Sequence, residues 1–184
     1  DPRPHLATSG VEAVNLLNSV LNKNGYVLEQ LYSPLVVQGG PAFEELRDLG
    51  RGCITRHLYH HYYGFARNEL DRYEAESPRR VKTLLYVYRV LMTGIHLLQT
   101  GQVESSLPCL NETFRLPFLP DLIACKVQEK AVLAEAGWEG HEAAIAHLQA
   151  RLETAFREST LPDEPHNRPA LDEFLVRSRL STLQ

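Results

Sequence analysis

Through most of this chain apolar residues return every three or four positions, the period of an amphipathic helix, and strand character is confined to one short run. Ser9 with Glu12 forms a capping box for a helix carrying Val11, Val14, Leu17 and Leu21, stopped at Asn24-Gly25. A shorter helix spans Val27 to Tyr32 and ends at Ser33-Pro34. Leu35, Val36 and Val37, followed by Gln38-Gly39-Gly40-Pro41, read as a packed loop, and Pro41 suits the first turn of a helix through Leu49. A long helix is expected from Gly52 to Ala75. After Leu107 to Phe118, irregular and broken by Pro108 and Pro117, helices are expected from Pro120 to Ala136, up to Glu158 after a Gly137-Trp138-Glu139-Gly140 turn, and from Pro169 to Leu183. The fold class is all-α, a helical bundle, in three parts: 1–50, 51–160, and a proline-stiffened linker with a last amphipathic helix over 161–184.

The most informative segment runs from Ser77, a candidate N-cap followed by Pro78, to Gly101, a candidate C-cap. At 100° per residue Val81, Leu84, Leu85, Tyr88, Leu91, Met92, Ile95 and Leu98 share a broad apolar face, widened by Val87, Val90 and Leu97. One narrow polar seam remains: Lys82, Tyr86, Arg89, Thr93 and His96. So little polar surface places the helix inside a bundle and its seam along a cleft, where a phosphate is the natural occupant of the cations. On the preceding helix Ile54, Leu58, His61, Tyr62, Phe65 and Ala66 share the apolar face. Arg56, His60, Tyr63 and Arg67 form a second seam with the same spacing. Consecutive antiparallel helices would let both seams face one groove.

Charge sharpens this picture. The chain carries a net charge of −4, yet its segment from Arg51 to Gly101 holds eight Lys or Arg against four Asp or Glu, so any nucleic-acid contact is local. Three cysteines, without a Cys-x-x-Cys pair, point to a reducing, cytoplasmic location. No run approaches the roughly 18 apolar residues of a spanning helix, and no membrane contact is expected. The chain opens on Asp1, not Met, so the expectation is a longer protein. Cys53, His57 and His60 share a helical flank, but that line of three is poor geometry for a tetrahedral ion, and no metal site is expected. Hydrolase signatures, a Walker-type lysine and His-Glu-x-x-His are all missing from the sequence.

Longer strings carry a resemblance. Val27-Leu28-Glu29-Gln30-Leu31-Tyr32-Ser33-Pro34, Tyr63-Gly64-Phe65-Ala66, the run from Lys82 to Leu91 with Thr93-Gly94 and Thr100-Gly101, Leu116 to Ala124, and Ser159 to Glu164 resemble the predicted nucleotidyltransferases of the YcgL type. These are also described as the RNA repair pathway DNA polymerase β family. The resemblance implies transfer of a nucleotidyl group from a nucleoside triphosphate to RNA or a nucleotide acceptor, through Mg2+ held by paired carboxylates. The sequence has no Gly-Ser dipeptide and no Asp-x-Asp. The resemblance therefore covers the helical, substrate-binding part, which would work with an upstream nucleotidyltransferase domain and would be inactive alone; no catalytic residue is assigned. By the same resemblance Lys82 meets the triphosphate, Arg89 phosphate or acceptor, and Tyr63 and Tyr86 a base or sugar. Thr93, Arg56, Arg67 and His60 complete the candidate substrate-binding set. The competing class is a non-catalytic helical interaction module whose seam receives an acidic protein.

Overall fold

The helix-forming pattern is realised without a strand among the residues that the computed structural model describes, 25–33, 40–127 and 138–181, and the fold is all-α. Eight helices are described: α1 Gly25–Leu31, α2 Pro41–Arg51, α3 Leu58–Ala75, α4 Val81–Thr100, α5 Leu107–Phe114, α6 Leu119–Val127, α7 Trp138–Glu158 and α8 Arg168–Ser181. They fall into two compact units, one within Asp1–Thr55 and Leu161–Gln184, the other Arg56–Thr160. The helix expected around Val11 to Leu21 lies outside the described residues, as do 128–137.

The first unit holds α1, α2 and α8. Close backbone approach explains two of its glycines: a Cβ on Gly50 would lie 2.6 Å from Leu31 Cδ2, and one on Gly52 2.3 Å from Asn167 Cγ. The Tyr32 hydroxyl donates to the Arg47 carbonyl at 2.6 Å, and the Asn167 side-chain amide donates to the Leu49 carbonyl. Arg177 on α8 pairs with Glu45 on α2. Cys53 is buried here and its thiol is pushed up to about 11 by desolvation, whereas Cys109, in the second unit, is exposed. Maleimide at pH 7.5 is therefore expected to label Cys109 in native protein and to reach Cys53 only in denaturant, read by mass spectrometry of peptides; early labelling of Cys53 would contradict its burial.

The second unit is built around α4. Each residue of the expected apolar face is buried, with Leu84, Tyr88, Leu91, Met92 and Ile95 fully inaccessible. By length and mean composition this 20-residue helix would suffice to cross a membrane, which counting uninterrupted apolar runs did not reveal; 78% of its most apolar window is buried inside the protein. It is a core helix, covered by α3, α5, α6 and α7. Gly101 closes it in the left-handed region at φ 71°, donating to the Leu97 carbonyl.

Several boundaries differ from expectation for identifiable reasons. Helix α4 starts at Val81, not beside Pro78, with Arg80 as its N-cap residue; Glu76 braces that start, its carboxylate accepting from the Arg80 backbone N–H at 3.2 Å and from the Thr83 hydroxyl at 2.8 Å. Those hydrogen bonds, with the Arg80 guanidinium first among them, hold the Glu76 carboxyl below its ordinary range. The segment Leu107 to Phe114, expected to be irregular, is helical. Pro108 sits in its first turn, where no backbone donor is required. Helix α3 begins at Leu58, since Gly52 and Cys53 make a turn at the end of α2.

Candidate functional site

All eight candidate site residues lie in the second unit, on α3 and α4 or just before α3. The two helices meet where a Cβ on Gly94 would stand 2.7 Å from Tyr62 Cβ, and again where the Phe65 and Tyr86 rings meet edge to face, 5.6 Å between centroids. Residue numbers rise along one helix as they fall along the other, so the pair is antiparallel. In such a pair the residues one before each contact point fall on the same side of the contact line, about 100° from it. His61 and Thr93 occupy that side with Phe65 and Tyr86, while Tyr63, one residue after Tyr62, takes the other.

On the first flank the α4 seam is graded from wet to dry. Lys82 is exposed, Tyr86 and Arg89 are half-buried, and Thr93 is fully buried. The Arg89 guanidinium lies over the Tyr86 ring at 4.5 Å, a cation–π contact that orders both side chains. Thr93 Oγ1 and His61 Nε2 are buried without a hydrogen-bond partner. Such atoms are uncommon in folded proteins. Burial lowers the affinity of His61 for a proton, so its ring stays neutral near neutral pH.

On the opposite flank Arg56, His60 and Tyr63 face α7. The Arg56 guanidinium lies 5.8 Å from the Phe156 centroid, the His60 ring 5.6 Å from it, and Tyr63 stacks on Tyr59, which itself stacks on Phe156. Arg67, one turn beyond Tyr63, is exposed. The single groove expected from two matching seams is thus not formed: the seams lie on opposite flanks of the α3–α4 pair. Equal spacing places residues on a line of each helix, but which side that line takes depends on where the helices touch.

The structure also adds residues that sequence reasoning set aside. His61 and Phe65 read as core because they share the apolar face of α3, and they flank the α4 seam instead. Phe156 and Tyr59 carried no motif; their only signal is a high local density of aromatics and histidines between His57 and Tyr63. Cys53 belongs to the first unit, and in the second the His57 and His60 rings stack on each other at 5.8 Å. Among the described residues no three His, Cys, Asp or Glu side chains come together to hold an ion.

Comparison with known proteins gives the family of the chain. The RNA repair pathway DNA polymerase beta family matches residues 5–177. The chain belongs to that family. The chain is also similar to an uncharacterized protein of Methanocaldococcus jannaschii, 31% identical over 157 residues, which take in 84% of this chain and 64% of that protein. The chain therefore spans less than two thirds of that relative's length. No solved structure matches it. That family is described as a DNA polymerase beta family of an RNA repair pathway.

Proposed function

We propose that this chain is the helical, substrate-holding portion of a nucleotidyltransferase that moves a nucleoside monophosphate from a triphosphate to RNA or a nucleotide acceptor. The observation that carries this reading is the α4 seam: two cations, Lys82 and Arg89, on a helix otherwise buried nearly all round, leading to the orphaned hydroxyl of Thr93. Lys82 would meet triphosphate oxygens as a compact charge. Arg89, seven residues and about 10 Å further along the axis, would make a planar, paired contact. The nucleoside then falls at the dry end, beside Thr93 and His61.

The Asp-x-Asp pair that would hold the Mg2+ of this chemistry is missing from the sequence, and among the described residues no three His, Cys, Asp or Glu side chains gather to hold an ion. We assign the metal to a nucleotidyltransferase domain outside this chain, and assign the chain alone no transfer activity. Three unpaired thiols, Cys53, Cys109 and Cys125, suit a cytoplasmic setting.

Isothermal titration with Mg-ATP tests the seam. Lys82→Ala and Arg89→Ala are each expected to weaken binding by about tenfold or more, the worth of one charge-assisted contact. Affinity indifferent to both substitutions would remove the seam from the site. No binding of Mg-ATP by either the chain or the longer protein would overturn the reading and favour a helical interaction module.

A further inference from the structure

We infer that Tyr86 is a positioning residue of the α4 seam: its ring holds the Arg89 guanidinium in place and turned toward Lys82, and leaves the contact with phosphate to the two cations. By its place on the seam alone Tyr86 reads as a base or sugar contact, and its observed neighbours give it a different task. The inference deepens the proposed function and rests on it for the ligand, a nucleoside triphosphate, while the hold of the ring on Arg89 stands on geometry alone.

The Arg89 guanidinium lies over the Tyr86 ring at 4.5 Å, so a base cannot take that face without displacing the cation. The ring is in turn held from the neighbouring helix. Phe65 on α3 meets it edge to face, 84° apart with centroids at 5.6 Å, and Phe65 itself packs against His61 at 5.8 Å. Tyr86, Phe65 and His61 are each partly buried, which limits their motion. Together they form a brace that crosses from α3 to α4 and ends on a charge.

Direction matters as much as order. Side chains on a helix lean toward its N-terminus, and Arg89 reaches back over a ring that belongs to the preceding turn. Its charge is thereby carried toward Lys82, across part of the roughly 10 Å of helix axis between their backbones. A polyphosphate offers its anionic groups in close succession, so cations drawn together can both reach one ligand. Helix α4 supplies no opposing carboxylate, since Val81–Thr100 contains no Asp or Glu. A cation–π contact acts through charge and surface and consumes no N–H donor. An arginine already ordered loses less freedom when a phosphate arrives, which raises affinity without a new contact. Arg89 has a further interaction besides the ring, so the share of the ring is isolated by a double-mutant cycle.

Arginine side-chain NMR of the whole chain reads the brace without ligand, with the Arg89 Nε–H signal assigned by its loss in Arg89→Ala. Arg89 is expected to be as rigid as the backbone in the parent and in Tyr86→Phe, which keeps the ring, and mobile in Tyr86→Leu; circular dichroism checks that each variant folds. Isothermal titration with Mg-ATP reads the consequence. Tyr86→Leu is expected to weaken binding about fivefold, Tyr86→Phe to rescue it to within about twofold of the parent, and Tyr86→Leu to have no effect in the Arg89→Ala background. Arg89 equally mobile with and without the ring, Tyr86→Phe as weak as Tyr86→Leu, or an undiminished effect of Tyr86→Leu in the Arg89→Ala background would each overturn the inference. Mg-ATP affinity that depends on Lys82 and Arg89 but not on Tyr86 sinks the inference alone and leaves the proposed function. A rigid Arg89 with no binding of Mg-ATP, by this chain or by the longer protein, sinks the proposed function and the triphosphate role of Tyr86 with it.

Discussion

Gly94→Val is expected to lower the stability of the second unit by about 3 kcal/mol, which for a domain of this size moves the thermal midpoint by more than about 10 °C. The cause is contact, not conformation: Gly94 is an ordinary helical residue whose missing side chain lets α4 lie against α3. A Cβ there would stand 2.7 Å from Tyr62 Cβ, 2.9 Å from Tyr62 Cγ and 3.0 Å from Leu152 Cδ1. Tyr62 is itself fully buried, so its ring has no room to retreat, and valine's two γ-carbons add to the crowding. Gly64 and Gly140 are the controls, since a Cβ on either meets nothing within 4 Å. Gly64→Ala should instead gain up to about 1 kcal/mol from helix propensity. Thermal unfolding followed by circular dichroism reads both signs; a Gly94→Val protein as stable as its parent would mean that the two helices do not cross at Tyr62.

The Gly94 contact also separates what sequence makes legible from what it does not. The face of α4 was readable because a 3.6-residue period, held from Val81 to Leu98, decides which residues are buried without reference to any neighbour. The left-handed cap at Gly101 was readable for the same local reason. The flank on which each seam lies was not. It depends on where two helices touch, and Tyr62 and Gly94 are 32 residues apart. Phe156 is farther still from the ring cluster around Tyr59, so the aromatic surface exists only once α7 packs on α3. Pro108 misled because a proline breaks a helix interior but fits a first turn, and local sequence does not say where the turn begins. Family resemblance supplied a ligand class for the seam but not the neighbours of its residues; His61, read as core, gains its interest from an unsatisfied ring nitrogen on the flank of Thr93.

Tyr88→Ala is expected to cost about 4 kcal/mol, the worth of an aromatic side chain truncated in a core. Tyr88→Phe should cost about 1 kcal/mol, one hydrogen bond. Tyr88 is fully buried at the junction of α4, α6 and α7: its ring meets Phe118 at 5.4 Å and His141 at 5.9 Å, and its hydroxyl lies 2.9 Å from His141 Nδ1. Burial, with the nearby Tyr73, pushes the phenol well above its ordinary range, so it keeps its proton at any working pH. The imidazole is affected in the opposite sense: desolvation lowers the proton affinity of His141, as it does that of His61. In the unfolded chain both rings take up a proton near their ordinary value of 6.5, and in the folded chain they resist it. Below that pH the unfolded state binds more protons, so stability falls as pH falls, while above it the histidines contribute no slope. Glu76 does not blur the window, because its lowered carboxyl matters only beneath its ordinary 4.5. Urea melts at pH 7.5, 6.0 and 5.0 should therefore show a falling midpoint that His61→Gln with His141→Gln flattens. A midpoint constant from pH 7.5 to 5.0, or a phenylalanine variant as damaged as the alanine one, would show that the hydroxyl and imidazole are not buried together as described.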